Sequence, residues 1–563
     1  MQRLPKSNSQ PVWLFPFVLA VVFVLSALPL GRLLFSGADA VLRSGMPPVL
    51  GEPGTWIAVR NSFSTAILGM IVSIALGSAF AFALTLTDIG RKKALGFAFM
   101  LPMMIPPQVT ALAWVEMSGP ASPLLKTLGM APPLGSPQPL YSVGGISLLL
   151  GVQHAPLVFL ALRVGLAAIP RDTIEAARLA GASPLRILRD IVLPLAMPGL
   201  IAGASIAFVS GIGNFGIPAI LGIPASIFVL PTLVYSRLAS FGAQTFADLA
   251  VLSILIALIC SFGLLVQHMA LRGRDYRIVG LSGAAPVFAS GPFRVIIEAA
   301  LWLVLFFILA APFLALVASS LVPAYGVPLN MQTVSLHAYE EILLRQAVTR
   351  TALVNSVFLA GAAAFGLLVF SVAVAYLALH RRGPAMTLVT GLVEIPYALP
   401  GIVLAIAFVL LFAAPLPIVG ITLYGTIWII LIAYLSSFLA VSLKPVSSAF
   451  LQLDPALEEA ARLSGADFFR RMRDVLLPLI APAAGASVVL VFLIACNELT
   501  VSALLWSAGT QTLGVVIFNL DDSGSSDLAS ALSVLVVLMV AGLMLLLELF
   551  ARRMPKGVLP WRN

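Results

Sequence analysis

Charge is what this chain has least of. Asp, Glu, Lys and Arg make up 10% of its 563 residues, against roughly 25% in a soluble domain. A surface so poor in charge cannot clothe a water-soluble particle of this size. Cysteine is nearly absent as well: Cys260 and Cys496 both sit in apolar stretches, which excludes a disulfide framework and metal-ligand spacing and reads as two small buried hydrophobes. Histidine occurs four times, and no His/Cys/carboxylate cluster or Ser-His-Asp arrangement is evident. There is no phosphate-cradling Walker A pattern; where Gly adjoins Lys, at Lys556-Gly557, the order is wrong. The chain is therefore not expected to be an enzyme, and no cofactor or metal is expected on it. Lys/Arg-rich tracts interleaved with aromatics are missing, which argues against nucleic acid despite a net charge of +9. The ten-residue alternation of outer-membrane strands is missing too.

What is present is hydrocarbon. Hydrophobic residues are 60% of the chain and the mean hydropathy is +1.07. They fall in blocks of 20 or more, enough to cross about 30 Å of lipid as helices. Twelve spans are expected, near 12–35, 63–86, 94–117, 143–168, 195–217, 248–270, 293–322, 353–379, 385–413, 420–443, 479–500 and 528–550. The first could pass for a signal peptide, but its length and the lack of an A-x-A-like site favour a retained span. With both termini in the cytoplasm, 25 of the 32 Lys and Arg fall on the inner side, the split that the positive-inside rule selects.

The chain also repeats itself. "EAARLAGASPLRILRDIVLPLAMP" (175–198) and "EAARLSGADFFRRMRDVLLPLIAP" (459–482) share 14 of 24 positions at an offset of 284. Upstream, Asn61-Ser62 matches Asn355-Ser356, and Pro102 and Pro106 match Pro396 and Pro400, all at an offset of 294. Two parallel six-span halves follow, 1–270 and 293–563, joined by a basic Gly/Ser/Pro-rich inner linker, 271–292. Parallel repeats imply a two-fold axis along the membrane normal and a solute path on it.

Each duplicated segment lies on the inner side between the fourth and fifth spans of its half, in loops 170–194 and 454–478. Pro170-Arg171-Asp172 and Asp454-Pro455 suit helix starts. Gly181 and Gly465 are placed to end the short helices, since Gly tolerates the left-handed conformation. A connector lying in the lipid interface is the plainer alternative, but it would not need the same Glu-Ala-Ala…Gly spacing twice. The segments resemble the EAA loop of binding-protein-dependent ATP-binding-cassette importers, over essentially the whole chain, as a fused permease. The resemblance implies an all-α membrane fold of about twelve helices in two parallel repeats, of the type I importer (MetI-like) kind, in a bacterial inner membrane. It implies coupling roles for Glu175, Ala176, Ala177 and Gly181, and for Glu459, Ala460, Ala461 and Gly465. The implied partners are membrane lipid, two ATP-binding subunits that carry the ATP and Mg, and a periplasmic or lipid-anchored solute-binding protein.

Candidates for the solute path are polar or helix-breaking residues within spans: Pro102, Pro106, Asn214, Glu394, Pro396, Pro400, Asn497 and Glu498, with Glu116 near the end of the third span. A carboxylate in a membrane is costly and normally faces a cavity or a partner. Internal hydrogen bonding or outer-surface water remain alternatives for the carboxylates, and plain kinks for the prolines. The stretches "NELTVSALLWSAGTQTLGVVIFNL" (497–520) and "GNFGIPAILGIP" (213–224) look like fused ferric-iron permeases, with thiamine, 2-aminoethylphosphonate, polyamine and sulfate permeases as relatives. An ion-coupled secondary transporter is the alternative class; it leaves the duplicated inner helices without a role.

Overall fold

The computed structural model describes residues 11, 13–133, 135–240, 244–272, 288–381, 383–415 and 420–551. Most of the linker expected at 271–292 and the outer ends of both termini lie outside the described residues. The first half contains α1 (Leu14–Arg43), α2 (Pro53–Leu86), α3 (Lys92–Met104), α4 (Pro107–Ser118), α5 (Val143–Ala167), α6 (Arg171–Leu179), α7 (Pro184–Gly213), α8 (Gly216–Gly222), α9 (Leu230–Leu238) and α10 (Thr245–Leu271). The second half contains α11 (Gly291–Ser320), α12 (Ala347–His380), α13 (Pro384–Ala398), α14 (Gly401–Phe412), α15 (Ile427–Leu451), α16 (Pro455–Leu463), α17 (Phe468–Cys496), α18 (Ser502–Leu505), α19 (Leu513–Asp522) and α20 (Ser526–Ala551). Each helix of the first half has its counterpart ten labels later. The bounds of α2 and α12 differ by the sequence offset of 294 at both ends, and those of α5 and α15 by 284.

Ten of these helices are long and apolar enough to cross a membrane singly. The expected third and ninth spans are instead broken pairs: α3 and α4 meet at 101°, α13 and α14 at 109°. The cause is chemical. Pro106 and Pro107 on one side and Pro400 on the other carry no N–H for the preceding turn, and Pro106 and Pro400 cap the second helix of each pair with extended ψ. Taken as one span each, the two pairs bring the total among the described residues to twelve. Phe99 of α3 packs edge to face on Phe159 in the later half of α5, the amide of Gln153 donates to the Ile105 carbonyl, and Val115 of α4 lies in one core with Leu140 just before α5 begins.

Helices α2 and α5 run parallel and very close. A Cβ on Gly77 would lie 2.7 Å from the Ala155 carbonyl, and one on Gly203 of α7 would lie 2.9 Å from Val158 Cα. At the same three places the second half has Ser371, Ser442 and Ser487, whose hydroxyls bond one another at 3.0 Å. Small residues let backbones approach where lipid supplies no hydrophobic drive between helices. The halves are also interlocked. Helix α1 packs on the second half, with Arg381 over the Phe15 ring at 4.6 Å and Arg32 donating to the Leu410 carbonyl. Conversely α11 packs on the first half through Leu301 and Leu305, in the same core as Phe99.

Gly77→Leu should force α2 and α5 apart, so that the purified chain unfolds at a clearly lower temperature in detergent. Gly361→Leu in α12, where a Cβ would meet nothing within 4 Å, should leave the melting temperature essentially unchanged. Equal effects would remove the close-packing argument.

Candidate functional site

The first site begins with α6 and α16. Both helices end in the same way. Gly181 and Gly465 take φ +79° and +83°, their N–H groups bond the carbonyls of Arg178 and Arg462, and the next residues, Ala182 and Ala466, reach back to Ala177 and Ala461. This is a Schellman termination. A Cβ on either glycine would meet nothing, so it is the backbone angle that requires glycine there. Glu175, Ala176, Glu459 and Ala460 are exposed, while Ala177 and Ala461 are half-buried. Two apolar side chains stand out beside them in each copy: Leu179 and Leu463 are 91% and 85% exposed, and Leu185 and Phe469 are exposed at matching positions.

What holds each helix to the membrane domain differs between the copies, and the sequence reading missed it. In the second half Glu458 accepts bonds from Tyr376 Oη (3.0 Å) and His380 Nε2 (2.9 Å) at the end of α12, and lies 3.4 Å from the buried Arg471 guanidinium. Burial favours the neutral acid of Glu458, but the bonds from His380 and Tyr376 and the charge of Arg471 outweigh it and hold the carboxyl below the usual carboxylate range. In the first half the four corresponding positions are Phe82, Leu86, Ile174 and Ile187, part of one apolar core. The available signal was four polar residues facing four apolar ones across the repeat.

The second site lies where the halves meet inside the membrane domain. Ending α3 at its break frees carbonyls that lipid could not satisfy. Asn497 Nδ2 of the second half donates to Met104 O at 2.6 Å, and Gln153 Nε2 donates to Ile105 O at 3.0 Å. In the mirror position Gly213 takes the place of Asn497, and a Cβ there would lie 2.7 Å from Pro400. Asn214 and Glu498 occupy one repeat position and do one job: Asn214 Oδ1 accepts from Ile217 N, and the Glu498 carboxylate accepts from Val501 N and Ser502 N. Each caps the short helix that follows, through an amide in the first half and a carboxyl group in the second.

Asn497 and Glu498 border a cavity of about 270 Å³ together with Gln108, Gln153, His154 and Thr500. Gln108, Gln153 and His154 were not anticipated from sequence. Pro102 borders a smaller neighbouring pocket, and Pro106 forms the break itself. Pro396 lies buried within α13, and Pro400 packs against Gly213. Glu394 does not join them. Its side chain is half exposed and pairs with Lys444 at 3.3 Å, whose ammonium sits 4.2 Å from the Tyr397 ring centre. The expected membrane-buried carboxylate is thus a neutralised pair away from the cavity. Glu116 is buried where α4 meets α11, accepting a bond from Ser319 Oγ.

Outward of the cavity the two halves touch through aromatic rings. Tyr235 and Phe518, counterparts in α9 and α19, are 5.8 Å apart edge to face, and Phe215 packs on both at 5.1 and 5.9 Å. The loops ahead of α9 and α19 are held by the duplicated Asn-Ser pair. Asn61 donates to Phe228 O and Ser62 accepts from Leu230 N; Asn355 donates to Gly509 O and Gln511 O, and Ser356 accepts from Leu513 N.

A two-fold repeat of membrane helices, broken beside a polar cavity between the halves and carrying two exposed short helices, is the architecture expected of a transmembrane permease. The chain belongs to the family of binding-protein-dependent transport system inner membrane components, whose model matches residues 12–275 and 368–559. It is similar to the probable ABC transporter permease protein y4fN of Sinorhizobium fredii, 27% identical over 90% of this chain and 87% of that protein. It is also similar to the ferric transport system permease protein FbpB of Actinobacillus pleuropneumoniae, 28% identical over 88% of this chain and 71% of that protein. The molybdenum transport system permease protein ModB of Escherichia coli is 29% identical over 38% of this chain and 92% of its own length. The chain is accordingly a multi-pass inner-membrane permease of an ABC transporter.

The unequal anchors make a prediction. Glu458→Ile alone leaves the Arg471 guanidinium, 3% exposed, without that carboxylate, and should destabilise the α16 region by about 3–5 kcal/mol, as breaking a buried ion pair does. Tyr376→Phe, His380→Leu, Glu458→Ile and Arg471→Ile together install the first half's set and should recover most of the loss. Protease sensitivity of the 451–476 segment and thermal unfolding report both. Because Glu458's pKa is depressed in the fold, its contribution is full above the unfolded carboxylate pKa near 4.3 and lost as pH falls through the lower folded value. A quadruple variant no more stable than the single would overturn this account.

Proposed function

We propose that this permease imports ferric iron delivered by a periplasmic or lipid-anchored solute-binding protein, driven by two ATP-binding subunits that dock on α6 and α16. One chain supplies both halves, so the complex holds one copy of it, two ATP-binding subunits and one binding protein, with both termini of the permease in the cytoplasm. ATP and Mg belong to the partners.

The observation that carries the docking role is the pair of exposed inner helices. Each presents Glu-Ala-Ala followed by a strongly exposed leucine, Leu179 or Leu463, at the end of the helix. An apolar residue held out in this way, at the same place twice, fits a groove on a partner subunit. The route from there to the outer contact is a rod. Helix α16 grips the inner end of α12 through Glu458, and 25 residues further out, roughly 37 Å of helix at 1.5 Å per residue, Asn355 and Ser356 grip the loop that leads to Phe518. In the first half Ile174, α2, Asn61 with Ser62, and Tyr235 form the same train. A displacement of the docked helices can therefore move Tyr235 and Phe518, which close the outer side between the halves.

Support for iron comes from the relatives. Permeases named for ferric transport match 88% and 81% of this chain. Those named for molybdenum and 2-aminoethylphosphonate match 38% and 32%. The test is uptake of radiolabelled ferric iron into vesicles holding the complex. Uptake should require ATP and stop when the partner's Walker lysine is replaced; uptake driven by an ion gradient without ATP would point to a secondary transporter instead.

Gly181→Val and Gly465→Val place a β-branched residue at positive φ, costing about 1–2 kcal/mol each. Both variants should insert normally yet retain less ATP-binding subunit on co-purification and transport more slowly. Normal capture and normal uptake by both would remove the docking role.

A further inference from the structure

The cavity beside the first break is built from side chains that the fold leaves unsatisfied. Gln108 is 1% exposed, and neither its Oε1 nor its Nε2 has a partner. Gln153 and Asn497 spend their NH₂ groups on the carbonyls of the break, while Gln153 Oε1 and Asn497 Oδ1, both buried, have no partner. Four orphaned polar atoms from three amides thus belong to residues bordering one space. Buried amides left without partners are costly, and the fold places three here together. Gln108 is also wedged between the halves: a Cβ on Gly216 would lie 3.2 Å from its Oε1, and one on Gly514 would lie 3.1 Å from its Nε2. Two glycines, one from each half, make room for this one amide.

The mirror position is less polar. The counterparts of Gln108, Gln153, His154, Asn497 and Glu498 are Ile402, Ser437, Phe438, Gly213 and Asn214, a set with one orphaned hydroxyl, that of Ser437, and no orphaned amide. The Gln108 amide is therefore not required to make the fold, since the same break is made with Ile402 in its place ten helices later. Its chemistry identifies what it holds. Three of the four orphaned atoms are carbonyl oxygens, the Glu498 carboxylate stands beside them, and no Lys or Arg borders the space. Such a lining accepts hydrogen bonds and repels a tetrahedral oxyanion. Direct chelation is not offered, because among the described residues no group of three or more His, Cys, Asp and Glu is placed to hold a metal. At about 30 Å³ per water, 270 Å³ accommodates an ion together with a shell of water.

We infer that this cavity is a solute-binding site for a metal cation that keeps its water and hydroxide ligands, held by hydrogen bonds from that shell to Gln108, Gln153 and Asn497. The inference deepens the iron reading and rests on it for the identity of the metal, but not for the site. Carbonyl oxygens accept from bound water, the Glu498 carboxyl group borders the same space, and the weak outer grip permits release, as passage through a permease demands.

The probe is terbium(III), with the full-length permease in nanodiscs. Terbium should bind the parent at least tenfold more tightly than it binds Gln108→Met. Its luminescence lifetimes in H₂O and D₂O should show the coordinated waters retained. Gln108→Met removes atoms that bond nothing in the fold, so its thermal stability should equal or exceed the parent's, whereas a structural amide would lower it. Molybdate, 2-aminoethylphosphonate and thiamine should not compete. Equal terbium affinity in the variant, loss of the coordinated waters, competition by any of the three, or a lower melting temperature would each overturn the site. If vesicles of the complete complex fail to import iron while the terbium result stands, the iron reading falls and the cation site remains. If iron enters equally well through the parent and Gln108→Met, the site falls and the iron reading remains.

Discussion

A backbone that breaks inside a membrane must find partners for the groups it frees, and the arrangement of this protein follows from that requirement. Lipid offers no hydrogen bonds, so the turn between α3 and α4 persists only because Asn497 and Gln153 reach the carbonyls of Met104 and Ile105. Asn497 comes from the other half of the chain. The break is therefore a contract between the halves: neither can form its bent span without the other's fifth span beside it. The mirror contact, Gly213 against Pro400, shows the same dependence made by shape in place of a hydrogen bond. Interlocking of α1 and α11 across the halves extends it to the periphery.

Once the breaks are held, the two halves can diverge. The groups that transmit position have stayed alike: Asn-Ser pairs gripping the outer loops, Schellman glycines ending the inner helices, and small residues where α2 meets α5 and α12 meets α15. Two places differ sharply in polarity. One is the root of the inner helix, an ion-paired network in one half and aliphatic side chains in the other. The second is the cavity lining, amides and a carboxylate on one side, with Ile402 and Phe438 at the mirror position. A protein assembled from two identical chains would have to place any polar residue twice. Fusion lifts that restriction, and the chain uses the freedom at the inner helix and beside the path.

Much of this was legible in the residues. Long apolar blocks require helices in lipid, and the offsets of 294 and 284 reappear as matched helix bounds. The glycines after Glu-Ala-Ala could be read because positive φ is a local demand. Long-range partners were not. Glu394 reads in sequence as a buried carboxylate before a helix break, yet Lys444, 50 positions away, neutralises it at the surface. Gln108, Gln153 and His154 passed unnoticed because a polar residue within a span means little until its orphaned atoms are seen to share a space. Glu458 was hidden by its neighbour Glu459, whose motif is recognisable, although Glu458 is the residue that touches the membrane domain.

The unequal roots bear on how force travels. Apolar packing around Ile174 is non-directional and tolerates sliding, whereas Glu458 is held by three groups, each with a preferred geometry, that resist rotation as well as separation. The second inner helix is thereby the stiffer lever. It drives α12, and through Asn355 and Ser356 the loop bearing Phe518, while the half it belongs to also brings Asn497 and Glu498 to the cavity. Motion entering at α16 therefore reaches the outer aromatic contact along a path whose every joint is a directional bond. The first half follows through packing. On the proposed docking, a two-fold frame with one stiff and one compliant arm opens its outer contact and reshapes its polar cavity from the same side.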